Sequence, residues 1–434
     1  MPNVVFDTLA FGCLPLAPLA LLACLHYLFP ACLFCLSKVA SCPPGAQAAQ
    51  LDFADAYCQM AVLHAHQPFL AVMTYLGIFI DHCNPFGLSS AAGTLGVATD
   101  ATLDIVMAAL PVPFFIKWVD DLLPTHVPSS EPSPRIYHYS YELVDIVAII
   151  KSLGWHVNDI KTKDFAPMVV YVGFQWDLTN KHVSLPEEKR LKHLTKLLDV
   201  LSLINASGCL QLGPLVNLQG SLAHLCFVYC DGQSKMPSLH HFITSFHNNI
   251  FIHCFPPPHL LTDLAWWQAA LELPAFVQPI GFHPIVNLDI YMDASSSWGI
   301  GLVVGSLWRA WQLRPGWQAD GHNIGWAESI ALEFAVMEAA ACGLQNVWVL
   351  IHSNNKGSIG QYIHGQSHNP FINESIDCTS SITRDANFDI LLEYVKSSKN
   401  CADAASHGVL LDNIFHLPHI FHIPEALKCF VQDV

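Results

Sequence analysis

Charge is what this 434-residue sequence has least of. Charged residues make up 12% of it, about half the roughly 25% usual in soluble domains, and hydrophobic residues make up 52%. The deficit is one-sided: 19 Lys and Arg face 35 Asp and Glu, a formal net charge of −16, and arginine is confined to Arg135, Arg190, Arg309, Arg314 and Arg384. An acidic, arginine-poor chain attracts polyanions weakly, which argues against a protein that holds nucleic acid by its net field. The 15 Cys show no closely spaced two-pair zinc motif, and the closest pair, Cys32 and Cys35, lies inside an apolar run. Scattered cysteines without a signal-peptide pattern read as reduced thiols, not as a disulfide framework. No internal repeat is visible.

No Lys or Arg precedes Lys38. Residues 9–36, "LAFGCLPLAPLALLACLHYLFPACLFCL", are long enough to span a bilayer. Pro15, Pro18 and Pro30 interrupt that run, His26 sits inside it, and the positive flank and small-residue cleavage site of a signal peptide are not clear. A buried segment, or a stretch whose reading frame is no longer under selection, is the preferred reading, with a membrane anchor as the alternative.

What is present divides by composition. Residues 37–123 are apolar, with strand-like and helix-like runs, and "PTHVPSSEPSP" (124–134) reads as a Pro/Ser loop. A helical pattern, "YELVDIVAIIKSLG", a lysine-containing turn and a strand, "MVVYVGFQWDL", follow up to about 185. Residues 186–255 read as helices, beginning with Pro near the start of "LPEEKRLKHLTKLLDVLSLI", and "CFPPPH" is a break. From 285 a new αβ unit starts: strands "NLDIYMDAS" and "WGIGLVV", helix "WAESIALEFAVMEAAACG", strand "NVWVLIHS".

Two features of the first part carry chemistry. In "KWVDDLL", Asp120 and Asp121 end an apolar run, where packing alone seldom places paired carboxylates. Upstream, "LDFADAY" supplies Asp52 at the end of a short strand, with Asp55 starting the turn behind it as a helix cap. A strand-end Asp together with a pair at a hairpin tip, joined by a Gly/Ser-rich segment, is the layout that holds two divalent ions about 3.5–4 Å apart for in-line phosphoryl chemistry. Each element alone is weak; the order makes the signal. Taken singly, Tyr57 reads equally as core packing, Lys161 as an exposed loop lysine, and "FGLSSAAGTLG" as a turn into a helix.

With these residues in view the sequence resembles the reverse transcriptases of fungal DIRS-like retrotransposons. The likeness runs from about residue 38 to 410 and is carried by "PPGAQAAQLDFADAY", "DHCNPFGLSSAAGTLG", "KWVDDLL", "LGWHVNDIKTKDF", "YVGFQWDL" and "VSLPEEKR". It implies an α+β palm and thumb polymerase followed by an α/β ribonuclease-H-like domain. The implied division is an apolar segment (1–37), palm with partial fingers (38–185), thumb and connection helices (186–284), a ribonuclease-H-like domain (285–410) and a tail (411–434). It implies that Asp52, Asp120 and Asp121 are the polymerase carboxylates, with Asp52 and Asp120 the direct ligands of two Mg²⁺ or Mn²⁺. Lys161 matches the lysine that protonates leaving pyrophosphate, and Tyr57 the gate against a ribose 2′-hydroxyl, the group that distinguishes RNA from DNA. Phe86, Gly87, Ser89 and Ser90 would bed template and incoming nucleotide, and Tyr171 to Phe174, with Tyr171 and Gly173 the site residues, would hold the primer. The implied partners are an RNA template, a DNA primer and deoxynucleoside triphosphates. No specific protein partner is implied, and a cytoplasmic or nuclear setting is expected before a membrane.

The second part has its own constellation: Asp293 ends a strand in "YMDASSSWGIG", Glu328 starts a helix in "WAESIALEF", and Asp403 lies in "ADAASHG". The order resembles the metal set of the family's ribonuclease H domain, in which "SDN" supplies a fourth carboxylate. Here the stretch is "SNN", and Asn354 stands in the aspartate's place. A neutral amide is a weaker ligand for a hard dication, so loss of hydrolysis is expected. Cys58, Cys230, His364, Gln366, His368 and His407 stand where the family has basic residues, and Arg to Cys, His or Gln, like Asp to Asn, is the product of one C-to-T or G-to-A transition. The pattern suggests a copy decayed by cytosine deamination. Two outcomes stay open: an RNA-directed DNA polymerase with an inactive ribonuclease H domain, or a catalytically dead retroelement remnant.

Overall fold

The computed structural model describes residues 30–85, 88, 90–274, 276–281, 283–410, 415–418 and 421–434. Phe86, Gly87, Ser89 and the apolar run as far as residue 29 lie outside the described residues. The chain divides into two compact units, one built on Phe29–Arg190 with Ala275–Gly281, the other on Leu191–Pro274 with Phe282–Val434. The α/β composition is mixed, as the sequence leads one to expect.

The first unit opens with α1 (Pro30–Ser41) and β1 (Gln47–Asp52), then an exposed hairpin of β2 (Ala71–Thr74) and β3 (Gly77–Ile80). Helix α2 (Ala91–Ala109) leads to β4 (Phe115–Trp118) and β5 (Asp121–His126), a second exposed hairpin of β6 (Ser130–Ser133) and β7 (Ile136–His138), and α3 (Leu143–Ser152). Strands β8 (Lys163–Ala166), β9 (Met168–Tyr171), β10 (Phe174–Asp177), β11 (His182–Ser184) and β12 (Val277–Pro279) complete it. One sheet has the order β4-β5-β1-β8 and another β12-β11-β10-β9. Helix α2 buries Leu95, Thr99, Thr102, Leu103 and Val106, a helical stripe, and α3 buries Leu143, Ile146 and Ile150. These faces share a core with Leu51 and Phe53 of the β1 segment, Phe115, and Leu122. A capping box of Glu142 and Asp145 starts α3, and Trp155 Nε1 donates to Thr102 Oγ1 at 2.8 Å, tying the turn after α3 to α2.

The second unit begins with helices α4 (Glu187–Ser207, its first turn still in the first unit), α5 (Leu212–Leu225), α6 (Met236–Thr244) and α7 (Pro258–Glu272). It continues as β13 (Ile285–Ala294), β14 (Gly299–Val304), β15 (Leu307–Leu313), α8 (Ile324–Ala341), β16 (Trp348–Ser353), α9 (Lys356–His364), α10 (Pro370–Ala386), β17 (Asp389–Tyr394), the short α11 (Asp403–Ser406) and β18 (Val431–Asp433). The sheet order is β17-β16-β13-β14-β15-β18; β13, β16 and β17 run parallel, and the β13-to-β18 side is antiparallel. Helix α8 is buried over almost its whole length, which explains why its sequence is apolar on every face. The turn at Cys230–Lys235 is joined to α10 by two ion pairs, Lys235 with Asp377 at 3.0 Å and Arg384 with Asp231.

Four expectations are corrected here. Residues 124–134 are not one loop: Pro124 lies inside β5, opposite Phe115, and 130–133 form β6. Proline removes only one donor from a ladder, and the Thr125 hydroxyl donates to the Phe114 carbonyl at 2.7 Å beside it. "MVVYVGFQWDL" is a hairpin and not one strand, because Val172 (φ 47°) and Gly173 (φ 90°) turn the chain between β9 and β10. Asp55 does not cap by its side chain; it stands at φ 46°, ψ 47° before the turn Ala56–Gln59 with no side-chain cap bond. The last residues are not a free tail: β18 pairs with β15, Asp433 bonds Arg309, and Leu417, Phe421, Leu427 and Val431 join the second unit's core. Sparse apolar residues separated by His and Pro hide that strand from a periodicity argument.

Candidate active site and metal centre

Strand register builds the first site. In the β1–β5 ladder Asp52 is the direct partner of Asp121, and in the β4–β5 hairpin Asp121 faces Trp118. Asp120 and Val119 are then the turn, and Val119 takes φ 56°, a left-handed value that a β-branched residue adopts only when its surroundings impose it. The sheet thus sets a carboxylate from β1 beside a pair on the neighbouring strand end. Asp52 is buried, while Asp121 is partly buried, and burial, then the charges of Asp120 and Asp52, push the Asp121 carboxyl upward.

Lys161 supplies the counter-charge. Its Nζ lies 3.3 Å and 3.2 Å from the two carboxylate oxygens of Asp52. The hydrogen bond to Asp52 and the charge of Asp52 raise the ammonium's pKa, and Asp120 and Asp121 add to the shift. Three acids against one lysine leave the site with an excess of negative, oxygen-donating charge, a donor chemistry that suits Mg²⁺ or Mn²⁺. The oxygens of the three aspartates do not, however, all lie within 4.8 Å of one another, the spacing met by the group in the second unit described below.

Of the other predicted residues, Tyr57 sits in the turn Ala56–Gln59 and packs, half-buried, against the first unit's core. Ser90 is exposed immediately before α2 and makes no side-chain cap bond. Tyr171 is buried at the end of β9, its carbonyl accepting from Trp176 Nε1 at 3.1 Å, and Gly173 occupies the β9–β10 turn.

The second site is more enclosed. Asp293, 3% exposed, ends β13 and faces Gly301 of β14 in register. At Gly301 a Cβ would stand 2.5 Å from the Ala402 carbonyl oxygen and from the Ser406 nitrogen, so the missing side chain is what lets α11 lie against the sheet. Asn400 reinforces this placement, its amide donating to the Met292 carbonyl at 3.0 Å. Ser406 Oγ then donates to Asp293 Oδ2 at 2.7 Å, and the Asn354 side chain also bonds Asp293. The Asp293 carboxyl is pushed up first by burial, with Asp403 adding and Ser406, Asn354 and His407 opposing.

Glu328 stands one turn into α8, whose start is capped by Asn323 accepting from the Trp326 nitrogen at 3.1 Å. Burial and then the charge of Asp293 push its carboxyl up to about 8. Asn354 Nδ2 donates to Ser397 Oγ at 3.2 Å. Among the described residues one group of acids and histidines has ligand atoms all within 4.8 Å: Asp293, Asp403 and His407. The predicted Asp293 and Asp403 are thus brought together, with Glu328 beside Asp293 and Asn354 bonded to it. His407, which the family resemblance marks as a replaced basic residue, follows Asp403 at i, i+4, the sequence signal for a shared helical face. With a neutral amide at 354 and an imidazole at 407, the donor set does not fit a pair of hard dications.

No protein-family model matches the sequence, and no curated protein matches it. Among solved structures, it is similar to a foamy viral protease-reverse transcriptase (dRH) with double-stranded DNA, at 12% identity and TM-score 0.42, over 82% of this chain and 58% of that one. The foamy viral protease-reverse transcriptase with dsDNA gives 14% identity and TM-score 0.38 over 83% and 70%, and with RNA/DNA hybrid 12% and 0.29 over 86% and 68%. The chain spans less than two thirds of the length of the first of these. Similarity this loose carries no functional argument.

Proposed function

We propose that the chain is a reverse transcriptase of fungal DIRS-like retrotransposon origin, an RNA-directed DNA polymerase followed by a ribonuclease-H-like domain that no longer cleaves. The observation that carries the reading is the β1–β5 register, which makes Asp52 the neighbour of Asp121 with Asp120 in the adjoining turn and Lys161 bonded to Asp52. In this reading Asp52 and Asp120 would hold the metal pair, which would supply activation of the primer hydroxyl and charge neutralisation at the transferred phosphoryl. Asp121 strengthens the local negative field. Lys161, kept charged by Asp52, is in this reading the group that would give a proton to a leaving oxygen. Tyr57 limits the space beside the incoming sugar, Phe86 to Ser90 bed the base pair, and the Tyr171–Gly173 turn steadies the primer.

A second reading, a catalytically dead remnant, is favoured by Asn354, a neutral residue bonded to Asp293 in the other site, and by the net charge of −16 on a chain that must hold phosphates. Primer extension on an RNA template with Mg²⁺, by the full chain and its Asp120→Asn variant, separates the two. Extension by the chain alone supports the polymerase. Its absence from both folded samples leaves the remnant.

A further inference from the structure

We infer that Asp293, Asp403 and His407 form a single-cation site for a first-row transition metal, Zn²⁺ by preference, in place of the pair of Mg²⁺ ions that four carboxylates would hold. The three ligand atoms already lie within 4.8 Å of one another. Two carboxylate oxygens and one imidazole nitrogen suit Zn²⁺, Co²⁺ or Mn²⁺, whereas Mg²⁺ takes nitrogen ligands poorly and keeps most of its water. The reading is independent of whether the first unit makes DNA.

The surroundings are built as metal sites are. His407 Nδ1 lies 2.9 Å from the Asp403 carbonyl oxygen and 3.1 Å from Ser406 Oγ, so the tautomer with its proton on Nδ1 would leave the lone pair on Nε2 for a cation. Metal-bound histidines are oriented by such a bond from the other ring nitrogen. Ser406 donates to Asp293 Oδ2 and fixes the first carboxylate in the same way. An independent observation points to a cation. Glu328 is only 5% exposed, is bonded through the neighbouring Ala294 backbone and Asn355, and keeps its Oε2 without a hydrogen-bond partner while feeling the Asp293 charge. A buried carboxyl oxygen with no donor, set against a second buried carboxylate, is an arrangement that a cation between them relieves.

Asn354 accounts for the change in metal number. Its amide donates to Ser397, and it bonds Asp293 as a neutral neighbour, so it adds no charge for a second ion. The imidazole of His407 then gives the remaining ion its third strong ligand.

The test titrates the full chain with Co²⁺, a spectroscopic stand-in for Zn²⁺, alongside its His407→Gln and Asp403→Asn variants. His407 is exposed, so its replacement leaves the core intact. We expect a visible ligand-field spectrum saturating at one equivalent without the thiolate charge-transfer band that cysteine binding would give. We expect affinity to fall more than about tenfold in each variant, displacement by Zn²⁺, and no displacement by millimolar Mg²⁺. Equal affinity in His407→Gln, or Mg²⁺ competing on equal terms, overturns the proposal. So does a spectrum with the thiolate band alone. The readout is binding, so a chain that fails to extend primers still tests it.

Discussion

Lys161 Nζ bridges both carboxylate oxygens of the buried Asp52, at 3.3 Å and 3.2 Å. Because the lysine is 60% exposed, the pair itself contributes no more than about 1 kcal/mol. Its larger effect is to neutralise charge that a divalent ion would also neutralise. Lys161→Met is therefore expected to raise the dependence of the first unit on Mg²⁺: millimolar Mg²⁺ should lift the variant's thermal midpoint further than it lifts the parent's. Equal lifts in calorimetry would mean that the lysine and the ion do not share Asp52.

Glu338 gives a pH dependence in the second unit. It is 2% exposed on α8, its Oε2 lacks a partner, and burial pushes its carboxyl up to about 7 from an ordinary 4.5, with Arg309 opposing. A raised folded-state pKa means that the stability this group contributes is full below about 4.5 and lost as the pH rises through about 7. Glu338→Gln keeps the neutral form at every pH. The variant should match the parent near pH 4.5 and exceed it at pH 8, by on the order of 1–3 kcal/mol. Denaturant unfolding at both pH values measures the gap, and a constant gap would remove Glu338 as its source.

The acids themselves were legible in the sequence because each ends or begins a recognisable element: Asp52 and Asp293 at strand ends, Asp120 and Asp121 at a turn, Glu328 at a helix start. What they touch was not. The Asp52–Asp121 partnership depends on register, and shifting β5 by one residue would turn its side chains to the other face without altering the composition. Ser406 and Asp293 are 113 residues apart, and nothing local to either announces the 2.7 Å bond between them. His407 was visible as a residue, but its closeness to Asp293 comes from α11 lying on β14, which nothing in the local sequence announces. The strand at Val431–Asp433 was hidden because its pairing is specified by Arg309 and β15, far earlier in the chain.

Gly301 tests how closely α11 must approach. A methyl group there meets two backbone atoms of the helix segment at 2.5 Å, and backbone cannot swing aside as a flexible side chain can. Gly301→Ala is expected to destabilise the second unit by about 1–3 kcal/mol, the usual effect of overpacking. It should also weaken Co²⁺ binding, since Asp403 and His407 ride on the displaced segment while Asp293 stays with β13. Gly305→Ala, in a turn with open space around it, controls for glycine removal, although its φ of 60° carries its own strain. Co²⁺ affinity unchanged in Gly301→Ala would separate the helix from the site.

Asn354→Asp places a carboxylate where the family resemblance leads one to expect it. The residue bonds Asp293, so an aspartate in its place sets a second carboxylate against a buried one. Without added metal the variant should unfold at a lower temperature than the parent, because like charges at this range repel strongly in a desolvated site. With Mg²⁺ the order should narrow or reverse, as the new carboxylate gives a hard dication a ligand that the amide does not. If the fold still positions substrate, cleavage of the RNA strand of an RNA/DNA hybrid should rise from background in the variant alone, and only with Mg²⁺ or Mn²⁺ present. Metal-dependent stabilisation without cleavage would restrict the defect to substrate binding, consistent with a chain whose basic residues are few. Neither stabilisation nor cleavage would mean that residue 354 does not face the cation, and the single-ion assignment through His407 would then have to stand without it.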